Sequence, residues 1–143
     1  MTHKLTQFER YLAPTGRILI GLFFFMAGVS KIGGLTGLTS MIAGAGLPVP
    51  MLLAVLTIAL EIGGGLMLIT GFYGRYAALA LATFTFIVSF PFHGPAMWGE
   101  NPMQKIMFMK NIAIFGSLLF MTAHIGKAAI KPEEETKLPT PTL

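Results

Sequence analysis

Four long apolar runs, parted by short segments rich in glycine, proline and basic residues, leave this chain few ways to fold. They cover residues 16–32, 51–72, 76–90 and 103–125. A helix needs about 20 residues to cross the hydrocarbon of a bilayer, and helices satisfy their own backbone there. The second and fourth runs are long enough. The first is short, but the side chains of Arg17 and Lys31 at its ends can snorkel towards the headgroups. The expected fold is therefore an all-α integral membrane protein, a four-helix bundle of transmembrane helices.

Composition supports that reading. Only 11% of residues are charged, against roughly 25% in soluble domains, and the mean hydropathy is +0.72. The net charge of +4 does not imply nucleic acid, because the basic residues form no patch with interleaved aromatics. They sit in the connections between runs, where membrane topology accounts for them. No cysteine is present, which removes disulfides, thiolate catalysis and Cys-ligated metal centres. Lys4 and Arg10 ahead of the apolar residues 18–29 imitate a signal peptide. No convincing small-x-small site follows, so the run reads as the first of several spans.

Between the first two runs, residues 33–50 carry too many glycines for a continuous span. A short amphipathic piece, residues 38–45, is expected to lie along the surface. Gly71-Phe72-Tyr73-Gly74-Arg75 reads as a tight turn. The third run is expected to stop at Pro91. Thr85, Ser89 and His93 share a face only if the helical register survives that proline; otherwise His93 caps the end. Trp98 reads as an interfacial anchor. Residues 1–13 form an N-terminal segment, residues 14–126 the membrane domain, and residues 127–143 a polar, mobile tail. Lys4, Arg10, Arg17, Arg75, Lys127, Lys131 and Lys137 fall on one side of a four-span topology, and Lys31, Lys105 and Lys110 on the other. Seven against three places both termini in the cytoplasm.

The polar residues inside the runs carry the functional signal. Glu61 lies near the middle of the second run, and Gly63, Gly64 and Gly65 follow it. A charge at that depth costs several kcal/mol and normally faces a partner, and the glycines let another helix approach there. Counted from the outer end, Glu61 is ~15 Å deep and Lys110 ~10 Å. Lys31 and His93 lie at the outer ends of their helices, and Asn111 and Ser89 at similar depth. In a compact bundle these groups converge. The simplest account is a structural ion pair of Glu61 with Lys110 or Lys31. Buried pairs seldom repay their desolvation, however, and an excess of cations suits a ligand with electronegative oxygens. A quinone or a small anion fits, so Lys31, Glu61, His93, Lys110 and Asn111 are the candidate ligand-binding residues.

Weaker signals are set aside. Met97, Met103, Met107 and Met109 beside His93 resemble a copper site, but methionine is ordinary apolar filler. His93 and His124 fall at opposite ends of the bundle and cannot share a haem, and His3 is expected in solvent. No metal site is expected, and no catalytic residue can be named: there is no phosphate loop, nucleophile elbow or aspartate. Arg17 and Arg75 read as topology anchors at the cytoplasmic face, with docking of a partner as the alternative.

Gly16-Arg17, Ala27-Gly28 with Lys31, Gly46-Leu47-Pro48, Glu61 with its glycines, Gly71 to Arg75, His93, and Phe108-Met109-Lys110-Asn111 occur in an order that resembles the DoxX family. These are small bacterial inner-membrane proteins, and the likeness over residues 13–126 is strongest to the short, YqjF-type members. The resemblance implies a four-helix protein of the bacterial inner membrane. It further implies an accessory role in quinone-linked redox or oxidative-stress metabolism, with a quinone as cofactor. The implied partners are the lipid bilayer and a redox enzyme or a second copy of the chain. Lys31, Glu61, Arg75, His93, Lys110 and Asn111 match the family's polar positions, and no catalytic assignment comes with them. The competing expectation is a non-enzymatic scaffold or small-solute carrier.

Overall fold

The structure, a computed structural model, describes the backbone of residues 2–125 and the side chains of residue 8 and residues 10–125. The expected tail, and the side chains of His3 and Lys4, lie outside the described residues. Five α-helices follow one another: α1 (Thr2–Gly33), α2 (Leu35–Gly44), α3 (Pro50–Thr70), α4 (Gly74–His93) and α5 (Pro102–His124). A 3-10 turn, Pro95–Met97, links the last two, and there is no strand among the described residues. Four helical stretches are long and apolar enough to cross a membrane: Arg10–Gly33, Pro50–Thr70, Gly74–Met97 and Pro102–His124.

Helix α1 starts well before residue 16, so the helix that carries the first run is long enough to cross. It continues through Pro14, and its apolar window opens at Arg10. Two further boundaries differ from expectation. Pro91 does not stop α4, which runs on to His93. Proline removes only the hydrogen bond to residue 87, and with two residues of helix left to build, that loss is tolerable. Helix α2 begins at Leu35, three residues before the expected start, and packs on α3 with Ile42 buried while most of its residues stay exposed. The other ends follow standard chemistry. Asn101 accepts a hydrogen bond from the Met103 amide at 3.0 Å, with Pro102 in the first helical turn of α5.

The spans pack in chain order: α1 on α3, α3 on α4, α4 on α5. Helix α1 against α3 is the tightest pair, and glycine is the reason. A Cβ built on Gly65 would lie 2.7 Å from the Gly21 carbonyl oxygen and 2.7 Å from the Phe25 amide nitrogen. One built on Gly28 would lie 3.0 Å from Glu61 Cβ. The two backbones therefore touch along a seam that ends at the carboxylate, the use of small residues expected between membrane helices. Gly64 receives Leu81 of α4, while Gly63 meets nothing.

Leu68, Ala77, Ala78, Leu81, Ala82 and Leu118, with Phe24, form the buried core. Most of these lie in the half of the bundle nearer the α3–α4 turn. Helices α1 and α5 hardly touch, so the bundle is unsealed along that one seam.

Candidate functional site

At the opposite end, beyond Phe24, the core gives way to a cavity of about 230 Å³ that every helix helps to line. Lys31 comes from α1, Glu61 and Thr57 from α3, Thr85 and His93 from α4, and Lys110 and Asn111 from α5. Helix α2 adds Leu38, Met41 and Ile42, and Phe23, Phe24, Phe84 and Phe92 supply aromatic wall. All five candidate residues thus line one space. Their convergence follows from antiparallel register, which brings the start of α3 and α5 level with the end of α1 and α4.

The centre of the site is an ion pair. Lys31 Nζ donates to Glu61 Oε1 at 3.0 Å and lies 2.8 Å from Oε2. Glu61 is only 5% exposed, while about a third of the Lys31 side chain, 31%, remains open. Only the Oε1 contact has hydrogen-bond geometry; Oε2 is enclosed and has no hydrogen bond of its own. Its attraction to Lys31 is Coulombic. Thr85 Oγ1 is a second enclosed atom without a partner, although Ser89, one turn on, donates to the Thr85 carbonyl at 2.6 Å. Ser89 is fully buried and satisfied. It supports α4 but does not line the cavity.

Lys110 does not pair with Glu61. Its Nζ meets Met107 Sδ at 3.4 Å and sits 5.8 Å from the centre of the Phe23 ring. A thioether and a ring face are weak partners for an ammonium. No carboxylate reaches it among the described residues. Lys110 is therefore the cation with donors to spare, held across the α1–α5 seam.

His93 sits at the outer edge. Its Nδ1 faces Gln104 Oε1, so the imidazole donates there and Nε2 is left over. Trp98 Nε1 donates to the His93 carbonyl at 3.0 Å, closing the end of α4. Gln104, Thr85 and Thr57 were not among the candidates. Thr57 lies one turn from Glu61, and Gln104 lies about two turns before Asn111 on the same face of α5, so helical spacing was the available signal.

Arg17 and Arg75 are not part of this cavity. Arg75 is exposed at the start of α4. Arg17 is half-buried at the far end of the α1–α5 seam, its guanidinium against Gly71 of the α3–α4 turn.

Known proteins resemble this chain in sequence. The sequence model of the DoxX family matches residues 12–94. The Inner membrane protein YqjF of Escherichia coli (strain K12) is 41% identical over 105 residues, 73% of this chain and 77% of that protein. The Inner membrane protein YphA of the same organism is 31% identical over 120 residues, 80% of this chain and 82% of that protein. No solved structure matches the chain.

Proposed function

The chain belongs to the DoxX family and is a multi-pass inner-membrane protein; from that premise we propose that its cavity receives the head of a quinone, and that the protein serves quinone-linked redox metabolism as an accessory component. One observation carries the reading: Thr85 Oγ1 is enclosed beside the cavity with no hydrogen-bond partner, close to a Glu61 carboxyl whose Oε2 has only its ion pair with Lys31. An unsatisfied buried polar atom costs about 1–3 kcal/mol. Such a hydroxyl beside an under-used ammonium describes a space that fits a polar guest.

The residues present suit a quinone head. Lys110, Asn111 and Thr85 offer donors to carbonyl oxygens, and the Glu61 carboxyl beside Lys31 accepts from a hydroxyl of the reduced form. The phenylalanine wall suits a flat ring. A volume of about 230 Å³ is below the ~300–1,000 Å³ of pockets for drug-sized ligands, so a ring fits but its isoprenoid chain does not. The unsealed α1–α5 seam gives that chain a way out into the bilayer.

A quinone supplies two-electron, two-proton chemistry. The protein's own contribution is to bind and orient it. Lys110 holds an oxygen, Lys31 holds the Glu61 carboxyl in place, and His93 links the cavity to the outer aqueous edge. With no cysteine in the chain, electrons reach the site from a partner enzyme. In this reading the Arg17–Arg75 end faces the cytoplasm, in keeping with the excess of basic residues there.

The test is to purify the protein with native lipid and measure the quinone that comes with it. Wild type should retain it, and Glu61→Gln combined with Lys110→Met should lose most of it. Equal quinone in the two proteins would remove the pocket from consideration.

A further inference from the structure

The α1–α5 seam opens a second time at the Arg17 end, in a groove of about 880 Å³. We propose that this groove binds one anionic phospholipid, its phosphate held by Arg17 and an acyl chain laid along the small-residue face of α5.

Position is the first argument. The Arg17 guanidinium lies against Gly71, where a Cβ would come within 2.8 Å of Nη1. Gly71 holds φ +81 in the α3–α4 turn, so Arg17 is level with the end of the bundle, where lipid headgroups sit. The groove straddles that level. It reaches from Leu12 and Pro14, beyond the turn, down to Ile20 and Ala113 inside the span.

Charge is the second. Arg17 Nε is enclosed and has no hydrogen-bond partner, and no carboxylate reaches the side chain among the described residues. A guanidinium presents a planar fork of donors that matches phosphate oxygens. His124 and Ser117 stand across the groove on α5. The set is cationic and hydroxylic, and it faces an apolar trough.

Shape is the third. A Cβ built on Gly116 or on Gly16 would meet nothing within 4 Å. At Gly21 and Gly65, by contrast, glycine marks helices in contact. In the groove the small residues instead keep open a channel on both walls, wide enough for a chain that tapers from a charged head.

The experiment uses the full-length protein in detergent, offered equal amounts of phosphatidylglycerol and phosphatidylcholine, with native mass spectrometry counting the lipid retained. The expected result is one phosphatidylglycerol held in preference. Arg17→Gln should lower that retention about tenfold, the loss of a charge-assisted contact. Gly116→Phe, which fills the groove without touching the core, should lower it as much, while Arg75→Gln at the same end should leave it unchanged. Equal retention of both lipids, or undiminished retention in Arg17→Gln or Gly116→Phe, overturns the proposal. So does a dimer that Gly116→Phe dissolves, because the groove would then seat a second copy. Thermal protection by inorganic phosphate equal to that by phosphatidylglycerol assigns the site to a soluble anion and overturns it as well. Quinone retention is read on the same samples and stands independently.

Discussion

The two halves of this bundle are made from the same helices and packed by opposite rules. Near the α3–α4 turn, alanine, glycine and leucine bring α1, α3 and α4 together until backbones touch, and the space left there is the groove between α1 and α5. Beyond Phe24 the same helices carry Lys31, Glu61, Thr85, His93 and Lys110 around a cavity. Membrane helices gain little from hydrophobicity against one another, because lipid is as apolar as leucine; close van der Waals contact has to hold them. The dense half supplies that contact. The open half is then free to hold groups whose burial is unfavourable, and which would not be there for packing alone.

The sharpest way to break the contrast is to put side-chain volume into each half of it. Gly65→Leu adds a Cβ 2.7 Å from two backbone atoms of α1, neither able to move without unpacking the helix. Overpacking typically costs about 1–3 kcal/mol, and a clash with backbone lies at or beyond the upper end. Folded protein should largely vanish, measured as the monodisperse fraction after extraction. Gly63→Ala, two residues earlier in the same glycine run but facing open space, should leave yield unchanged. Equal damage from both would mean that contact along α1–α3 is not what holds the helices.

In the open half the largest effect should come from Lys31. Lys31→Met strands the Glu61 carboxylate, which is 5% exposed. Removing one partner of a fully buried pair costs ~3–5 kcal/mol. About 2 kcal/mol is expected here, because 31% of the Lys31 side chain stays open and screens the pair. Glu61→Gln leaves a lysine that can still reach the interface, so it should cost less. The double variant Lys31→Met with Glu61→Met should recover most of the stability while losing the quinone. If the double variant is no better than Lys31→Met in thermal melting, the pair is structural rather than retained for a ligand.

How much of this was readable beforehand differs between the halves. Hydropathy and glycine placement gave the four spans, and depth counting brought all five candidate residues to one cavity. Depth says nothing about rotation, however. It could not decide that Lys31 rather than Lys110 meets Glu61, nor that Gly64 and Gly65 face helices while Gly63 faces none. Pro91 was misread as a stop because the rule concerns helix interiors, and near a C-terminus there is little helix left to lose. Gln104 escaped notice, and Thr85 was placed on a face with Ser89 and His93 without becoming a candidate, because neutral polar residues are cheap in a span and raise no alarm. The groove at Arg17 was invisible, since an arginine near a span's end has an ordinary use as an anchor.

Smaller effects then separate binding from folding within the cavity. Lys110 has only a thioether and a ring face for company, so Lys110→Met should change stability by less than about 0.5 kcal/mol. Quinone retention should nevertheless fall by about tenfold, the worth of one charged hydrogen bond. A variant that loses stability and ligand together would make Lys110 a packing residue and erase the distinction drawn here.

The mildest change tests how far the open half depends on its rim. Gln104 Oε1 accepts from His93 Nδ1, which holds a proton on that nitrogen and orients the ring. Gln104→Leu removes that acceptor from a site near the aqueous edge, where water can take its place. The cost should be about 0.5–1 kcal/mol, a single neutral hydrogen bond. Nitrogen chemical shifts of His93 should move toward a mixture of tautomers, with little change in quinone retention. Were retention to collapse with the tautomer shift, His93 would belong at the ligand itself, and the boundary between cavity and rim would move inward by one helical turn.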